Sequence, residues 1–203
     1  VRFGTDFFRL IYGDMDFSVI DEMPSGRLRI KTAVIEERLR PNAYRKIADE
    51  LSKGHQAMII CPMIEENENF EANDVNNYVA ALKKIFKPQV RIAALHGKMK
   101  SDEKDAVMEE FAGGNIDILV ATTVVEVGID VPNATVIMIE DAQRFGLATL
   151  HQLRGRVGRS DAQGWCVLVN TSPNDKTRER LDVLYRSNNG FEIANADLKN
   201  RGA

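Results

Sequence analysis

Apolar positions along the chain fall into two recurring patterns. Ala57 to Cys61, Ile116 to Ala121, Ala134 to Ile139 and Trp165 to Val169 are short, nearly continuous apolar runs. Runs of that length between turn residues suit strands buried on both faces, as in a parallel sheet. Val90 to Leu95 reads as another strand, and Leu28 to Ile35, interleaved with Arg27, Arg29 and Lys31, as a half-exposed one. Between them the apolar positions recur at helical spacing. Pro41 suits a first helical position, and Tyr44, Ile47, Ala48 and Leu51 form a stripe ending at Gly54. Val79, Leu82 and Phe86 mark a helix from Val75 to Phe86 that Pro88 stops. Ser101 can cap a third, with Asp102 and Glu103 in its first turn and Gly113-Gly114 closing it. Strand and helix alternate with short loops, which predicts an α/β fold, a parallel sheet with helices on both faces. Glu65 to Asp74 carries acids without a base and reads as a surface loop.

The stretch Gly146 to Arg159 stands out from this pattern. Read as one helix, it places Gln152, Arg156 and Arg159 on one face and Leu147, Leu150, Leu153 and Val157 on the other. No carboxylate lies within it, so its two like charges call for an external anion. A guanidinium suits a phosphate because its planar fork donates two parallel hydrogen bonds and stays charged. Gly155 and Gly158 strip bulk beside that face, where a merely structural helix would lose about 1 kcal/mol to each.

Length and charge narrow the picture further. The 203 residues suffice for one large or two small domains, and a net charge of −3 means that any nucleic-acid contact rests on a local basic patch. Cys61 and Cys166 sit inside strand-like runs without metal-ligand neighbours, which suits buried reduced thiols in a cytoplasmic protein. No apolar run approaches a membrane span, and no signal-peptide pattern opens the chain. Residues 1–27 read as a connecting segment. From Pro173 the composition shifts to a charged helical segment, Asn174 to Arg186, then a turn at Asn188-Asn189-Gly190 and a second short helix.

In open parallel sheets ligands collect beyond the carboxyl ends of the strands. That rule selects His96-Gly97-Lys98, the run from Thr122 to Asp130, and the loop from Glu140 to Gly146. Hydroxyls and exposed amides at strand ends suit a phosphate backbone, which makes Thr122 and Thr123 candidates, although β-branched residues also simply end strands. Glu126 and Asp130, four apart, could hold a metal or a ribose, or pair with an arginine. His96 could sense a phosphate, and His151 could be a packed imidazole. No Gly-rich run ending in Gly-Lys-Ser/Thr occurs, nor an acidic tetrad after an apolar strand. The chain has the arginines without a phosphate cradle, as expected if a second domain binds ATP and this one closes over it.

Gln152-Leu153-Arg154-Gly155-Arg156-Val157-Gly158-Arg159 resembles motif VI of superfamily 2 helicases. The run from Ala121 through Thr122-Thr123-Val124-Val125-Glu126-Val127-Gly128-Ile129-Asp130 to Asn133 resembles motif V, and Leu95-His96-Gly97-Lys98-Met99 the short motif before it. In this order they resemble a second RecA-like motor domain, a P-loop NTPase fold without its own Walker A. Within the superfamily the text is most similar to the RecG family of branched-DNA helicases. Residues Tyr12 to Arg27 resemble its linker after motif III, Cys61 to Glu66 its motif IV region, and Gly190 to Ala194 with Asp197-Leu198 and Arg201-Gly202 the start of its translocation hairpin. Residues 1–11 lack the Thr-Ala-Thr-Pro pattern of motif III.

The resemblance implies a linker over 1–27, the motor domain over 28–172 and a truncated helical hairpin over 173–203. It implies that Arg156 and Arg159 meet the ATP phosphates and that Gln152 couples nucleotide state to closure. Thr122, Thr123, His96 and Gly97 would contact DNA, with Glu126, Gly128 and Asp130 joining DNA to the nucleotide cleft. The expected cofactor is ATP with Mg2+, held mostly by the preceding domain. The expected partners are forks and Holliday junctions, the preceding RecA-like domain and a DNA-wedge domain of the same protein, working as a monomer. The fragment alone is expected to be nearly inactive. A transcription-repair coupling translocase shares these motifs, and a module docking an acidic or phosphorylated partner is the rival of another class.

Overall fold

A computed structural model of the chain describes residues 28–62, 68–122 and 131–200. The expected strands form one six-stranded sheet in the order β1-β6-β5-β2-β4-β3, with every pairing parallel. Its members are β1 (Lys31–Glu36), β2 (Gln56–Cys61), β3 (Ile92–Leu95), β4 (Ile118–Thr122), β5 (Ala134–Ile139) and β6 (Trp165–Asn170). The apolar runs sit centrally: every residue of β4 and β5 is buried.

Helices cover both faces because alternate strand residues point opposite ways. Ala57 and Ile59 of β2 face α1 (Arg40–Ser52) and α2 (Glu68–Ile85), through Ala43, Ile47, Val75, Val79, Leu82 and Phe86. Met58 and Ile60 face α3 (Ser101–Ala112), α4 (Leu147–Arg154), α5 (Asp175–Arg186) and α6 (Gly190–Asn200), through residues such as Phe111, Leu150, Leu181 and Ile193. The two helices after residue 172 therefore share one core with the sheet.

Several expectations need correcting. The strand read over Leu28 to Ile35 begins at Lys31 and ends at Glu36. On α1 Ile47 is buried as expected, but its buried companions are Ala43 and Glu50, while Ala48 is exposed. Helix α2 starts at Glu68, inside the acidic run read as a loop. The packing of Val75, Val79 and Leu82 on the sheet continues a helix that charge alone argued against. Ser101 is the first residue of α3 and Lys100 its N-cap, where the Glu103 carboxylate accepts the Lys100 N–H at 3.1 Å.

The arginine stretch differs most. Helix α4 ends at Arg154, so Gln152 lies on the helix while Arg156 and Arg159 lie beyond it. Gly155 caps that end, donating its N–H to the carbonyl of His151 at 3.1 Å. Gly158 adopts φ +67°, which glycine alone takes at little cost. Leu147, Leu150 and Val157 reach the core as expected, and Leu153 is half-buried. The reading of residues 1–27 as a linker lies outside the described residues.

Candidate functional site

Because all six strands run the same way, the sheet has one carboxyl edge and one amino edge, and the candidate residues divide between them. At the carboxyl edge β3 and β4 end side by side, Leu95 pairing with Ala121. His96 and Thr122 occupy the next positions. Thr122 is 1% exposed, and its Oγ1 is buried with no hydrogen-bond partner among the described residues. The Nδ1 of His96 is likewise buried and unpartnered. Leaving such an atom unsatisfied costs about 1–3 kcal/mol, so folds rarely keep two together without a use for them. Gly97 follows in a turn, its carbonyl accepting from Lys104 Nζ at 3.0 Å. Thr123, Glu126, Gly128 and Asp130 lie outside the described residues.

The loop after β5, also selected by the strand-end rule, is occupied by its own chain. Arg40 at the start of α1 makes a two-pronged contact with the buried Glu140, Nε to Oε1 and Nη2 to Oε2, both at 3.0 Å. Tyr78 donates its hydroxyl to Glu140 Oε1 at 2.5 Å, and Tyr44 lies 2.8 Å from the Tyr78 oxygen. Burial and the Glu140 charge push the Tyr78 hydroxyl well above the usual phenol range, so Tyr78 stays a donor. Asp141 adopts the left-handed region at φ 46°, and its Oδ1 accepts from Thr171 Oγ1 and from Gln143 Nε2. These contacts tie the ends of β5 and β6 to α1 and α2 and hold their acids away from a ligand.

The arginines sit at the opposite edge. Gly158 donates its N–H to the carbonyl of Ala134, the first residue of β5, at 3.4 Å. It also packs on Gly164, whose carbonyl accepts from Lys31 at the start of β1 at 2.9 Å. Arg156 and Arg159 are half-buried on this loop, and Arg159 Nε donates to the Gly155 carbonyl at 3.2 Å. In register, Ala134 stands beside Gln56 and Thr122 beside Cys61, five steps apart along β2. At about 3.3 Å per residue the two groups are separated by roughly 16 Å along the sheet. The structure thus places Arg156 and Arg159 on one loop and His96 and Thr122 at adjacent strand ends, and keeps the two pairs apart.

Arg154, which the facing pattern leaves without a role, is 2% exposed. Its Nη1 donates to the carbonyls of Leu184 and Ser187 at 2.7 and 3.0 Å, closing the carboxyl end of α5. A cation suits that end of a helix. Its Nη2 meets His151 Nδ1 at 2.8 Å. A guanidinium only donates, so that nitrogen accepts and the ring is neutral, and burial and then the Arg154 charge hold the imidazole below its ordinary pKa. His151 is therefore a packed imidazole, as its reading in the sequence allowed. At the other end of α4, Asp197 of α6 accepts the Leu147 N–H at 3.3 Å. No sequence spacing could have signalled these contacts, since both depend on where the last two helices pack.

Burial raises the Cys166 thiol to about 12, and neither cysteine is in a disulfide. Among the described residues no group of three or more His, Cys, Asp or Glu could hold a metal, and no helix is long and apolar enough to cross a membrane.

Comparison with known proteins places this fold in a family. The pattern of the family described as "Helicase conserved C-terminal domain" matches residues 40–161. The ATP-dependent DNA helicase RecG of Bacillus subtilis is 45% identical over 192 residues, 95% of this chain and 28% of that protein. RecG of Aquifex aeolicus is 50% identical over 196 residues, 95% of this chain and 24% of that protein. The solved structure of RecG bound to a three-way DNA junction superposes with a TM-score of 0.81 at 42% identity, over 98% of this chain and 26% of that one. The chain spans about a quarter of the length of these relatives. Its sheet is the RecA-like one of that structure, and with residues 40–161 matched, the chain belongs to the helicase conserved C-terminal domain family.

Proposed function

We propose that this chain is the second motor domain of an ATP-dependent double-stranded DNA translocase of the RecG kind, which remodels stalled forks and Holliday junctions. In this reading residues 1–27 link it to a preceding RecA-like domain, residues 28–172 form the motor and residues 173–203 begin the translocation hairpin. The protein works in the cytoplasm as a monomer, with a DNA-wedge domain elsewhere in the same chain. The observation that carries the reading is the two-ended sheet. Unpartnered polar atoms of His96 and Thr122 lie at one edge, and a glycine-pinned arginine loop lies at the other.

The donor chemistry of that loop fits ATP, although the chain has no phosphate cradle. Arg156 and Arg159 would approach the phosphates when the two motor domains close, and the preceding domain would hold ATP and most of the Mg2+ coordination. ATP supplies the phosphoryl group whose transfer to water drives the cycle. The arginines stabilise the charge that develops as that bond breaks, a contribution worth about 10³- to 10⁵-fold where such residues act in GTPases. Gln152, exposed at the end of α4, would report nucleotide state to the interface, with Gly128 and Asp130 completing this side of the cleft. At the other edge Thr122, Thr123, His96, Gly97 and Glu126 would hold the DNA backbone, fixing register without reading sequence.

Arg159→Ala in the intact protein tests this. DNA-stimulated ATP hydrolysis should fall by about 10³-fold or more while junction binding stays within a few-fold. Preserved hydrolysis with lost junction binding would favour a docking module over a motor.

A further inference from the structure

The arginine loop is pinned from outside its own motif. Gly158 cannot hold its φ of +67° as any other residue without strain, and the surface it rests on is Gly164, which precedes β6. A Cβ built on Gly164 would lie 2.9 Å from Gly158 Cα, 3.2 Å from Gly158 N and 3.3 Å from Ile30 Cγ1. The first two are backbone atoms that no side-chain rotation can move. The contact is also fixed from behind, because the Gly164 carbonyl accepts from Lys31 at 2.9 Å and from Gln163 Nε2 at 2.9 Å. Gly164 cannot retreat without breaking the start of β1. A methyl group there must instead push on Gly158, which sits between Arg156 and Arg159 and donates to Ala134 at 3.4 Å.

We propose that Gly164 is a positioning residue for ATP hydrolysis: its missing side chain lets the arginine loop close against the amino edge of the sheet and so sets where Arg156 and Arg159 point. The inference rests on the assignment of those arginines to the phosphates. Displacing a catalytic group by about 1 Å can cost on the order of 100-fold in rate. Because the guanidiniums act on charge that develops in the transition state, the loss should fall on kcat and spare KM for ATP.

The test uses the full-length protein, with DNA-stimulated ATP hydrolysis on a three-way junction. Gly164→Ala should lower kcat by about 10- to 100-fold, with KM for ATP and junction affinity within about twofold. Gly114→Ala is the control for backbone strain alone, since Gly114 has φ +76° and open space around its Cβ position, and it should keep its kcat. In an Arg159→Ala background, Gly164→Ala should cause a smaller loss than in the wild type, because one of the two groups it positions is already gone. A wild-type kcat for Gly164→Ala, a loss that multiplies with that of Arg159→Ala, or an equal loss in Gly114→Ala would overturn the proposal. Full hydrolysis by Arg159→Ala alone would instead remove the phosphate assignment beneath it. Should Gly164→Ala not fold, Ile30→Ala loosens the same contact from its other side. It should lower kcat several-fold with KM unchanged, and a wild-type kcat there would overturn the proposal equally.

Discussion

Replacing Thr122 by valine should make the chain more stable and, under the proposed function, the intact protein worse at holding DNA. Thr122 is 1% exposed and its Oγ1 has no partner among the described residues, so the folded state bears the desolvation of a hydroxyl with nothing returned. Such an atom costs about 1–3 kcal/mol, and valine puts a methyl of similar size in its place. A gain of about 1 kcal/mol corresponds to roughly 2–4 °C in Tm for a chain of this length. Thr135 is the matched control. It is fully buried, but its hydroxyl donates to Glu50 Oε2 at 3.2 Å, so Thr135→Val should lose about 1 kcal/mol. Thermal melts of both variants give the signs directly. For function, a hydrogen bond to a charged phosphate is worth about 1.5–3 kcal/mol, so junction affinity of the intact protein should fall about 10-fold or more with Thr122→Val. It should not change with Thr135→Val. Fluorescence anisotropy with a labelled three-way junction at fixed ionic strength measures this. A Thr122→Val protein that melts lower, or melts higher while binding DNA as before, refutes the reasoning that this hydroxyl is kept for a ligand.

Two further outcomes follow from buried charge. Burial alone would raise the Glu50 carboxyl, but hydrogen bonds from Lys46, His55 and Lys53 outweigh it and hold the group at about 2. A depressed folded pKa means stability present above the unfolded value of about 4.3 and lost as pH falls through the folded one. Melts should therefore show about 2–3 kcal/mol lost between about pH 4.5 and pH 2, after allowance for the half-exposed Lys53. Glu50→Gln should be less stable at pH 7 and lose correspondingly less across that window, and an unchanged acid dependence in that variant would refute the assignment. Arg154→Met keeps the apolar stem but strips the donor from the Leu184 and Ser187 carbonyls. Recovery of the guanidinium's desolvation offsets part of that loss, leaving about 2–3 kcal/mol in urea unfolding at unchanged m, and wild-type stability would refute the role of Arg154 as a tie between α4 and α5.

The sheet was legible in the sequence because β4 and β5 are buried on both faces, which leaves the apolar run itself as the signal. The strand-end rule found His96 and Thr122 for a similar reason, since both positions depend only on where a strand stops. Periodicity failed at the arginines. A helical wheel carried past Arg154 put Arg156 and Arg159 on one face, whereas Gly155 ends the helix and the positive φ of Gly158 turns the chain. The two residues still lie close in the chain, but on a loop at the edge opposite to the one the strand-end rule selects. The acidic run before Val75 was misread because local charge was weighed without the sheet that α2 packs on. The buried carboxylates were invisible for want of their partners. Glu140 meets Arg40 across 100 positions, a separation at which a sequence shows a charged residue and nothing of what neutralises it, and Glu50, whose cations Lys46 and Lys53 are close in the chain, is met on its buried side by Thr135, 85 positions away.

How the two edges communicate follows from what lies between them. Strands β5, β2 and β4 are packed side by side in parallel pairings. Helix α1 crosses the same span, held to Glu140 by Arg40 at one end and to Thr135 by Glu50 at the other. A close-packed interior of this kind resists gradual deformation. A change at the arginine loop therefore reaches His96 and Thr122 as movement of the whole sheet, and under the proposed function that movement is closure against the preceding domain. The same rigidity explains why the arginine loop is fastened to the first residue of β5 and to Gly164. A loop free to shift on its own would absorb the closing force locally, and the edge carrying His96 and Thr122, roughly 16 Å away, would not feel it.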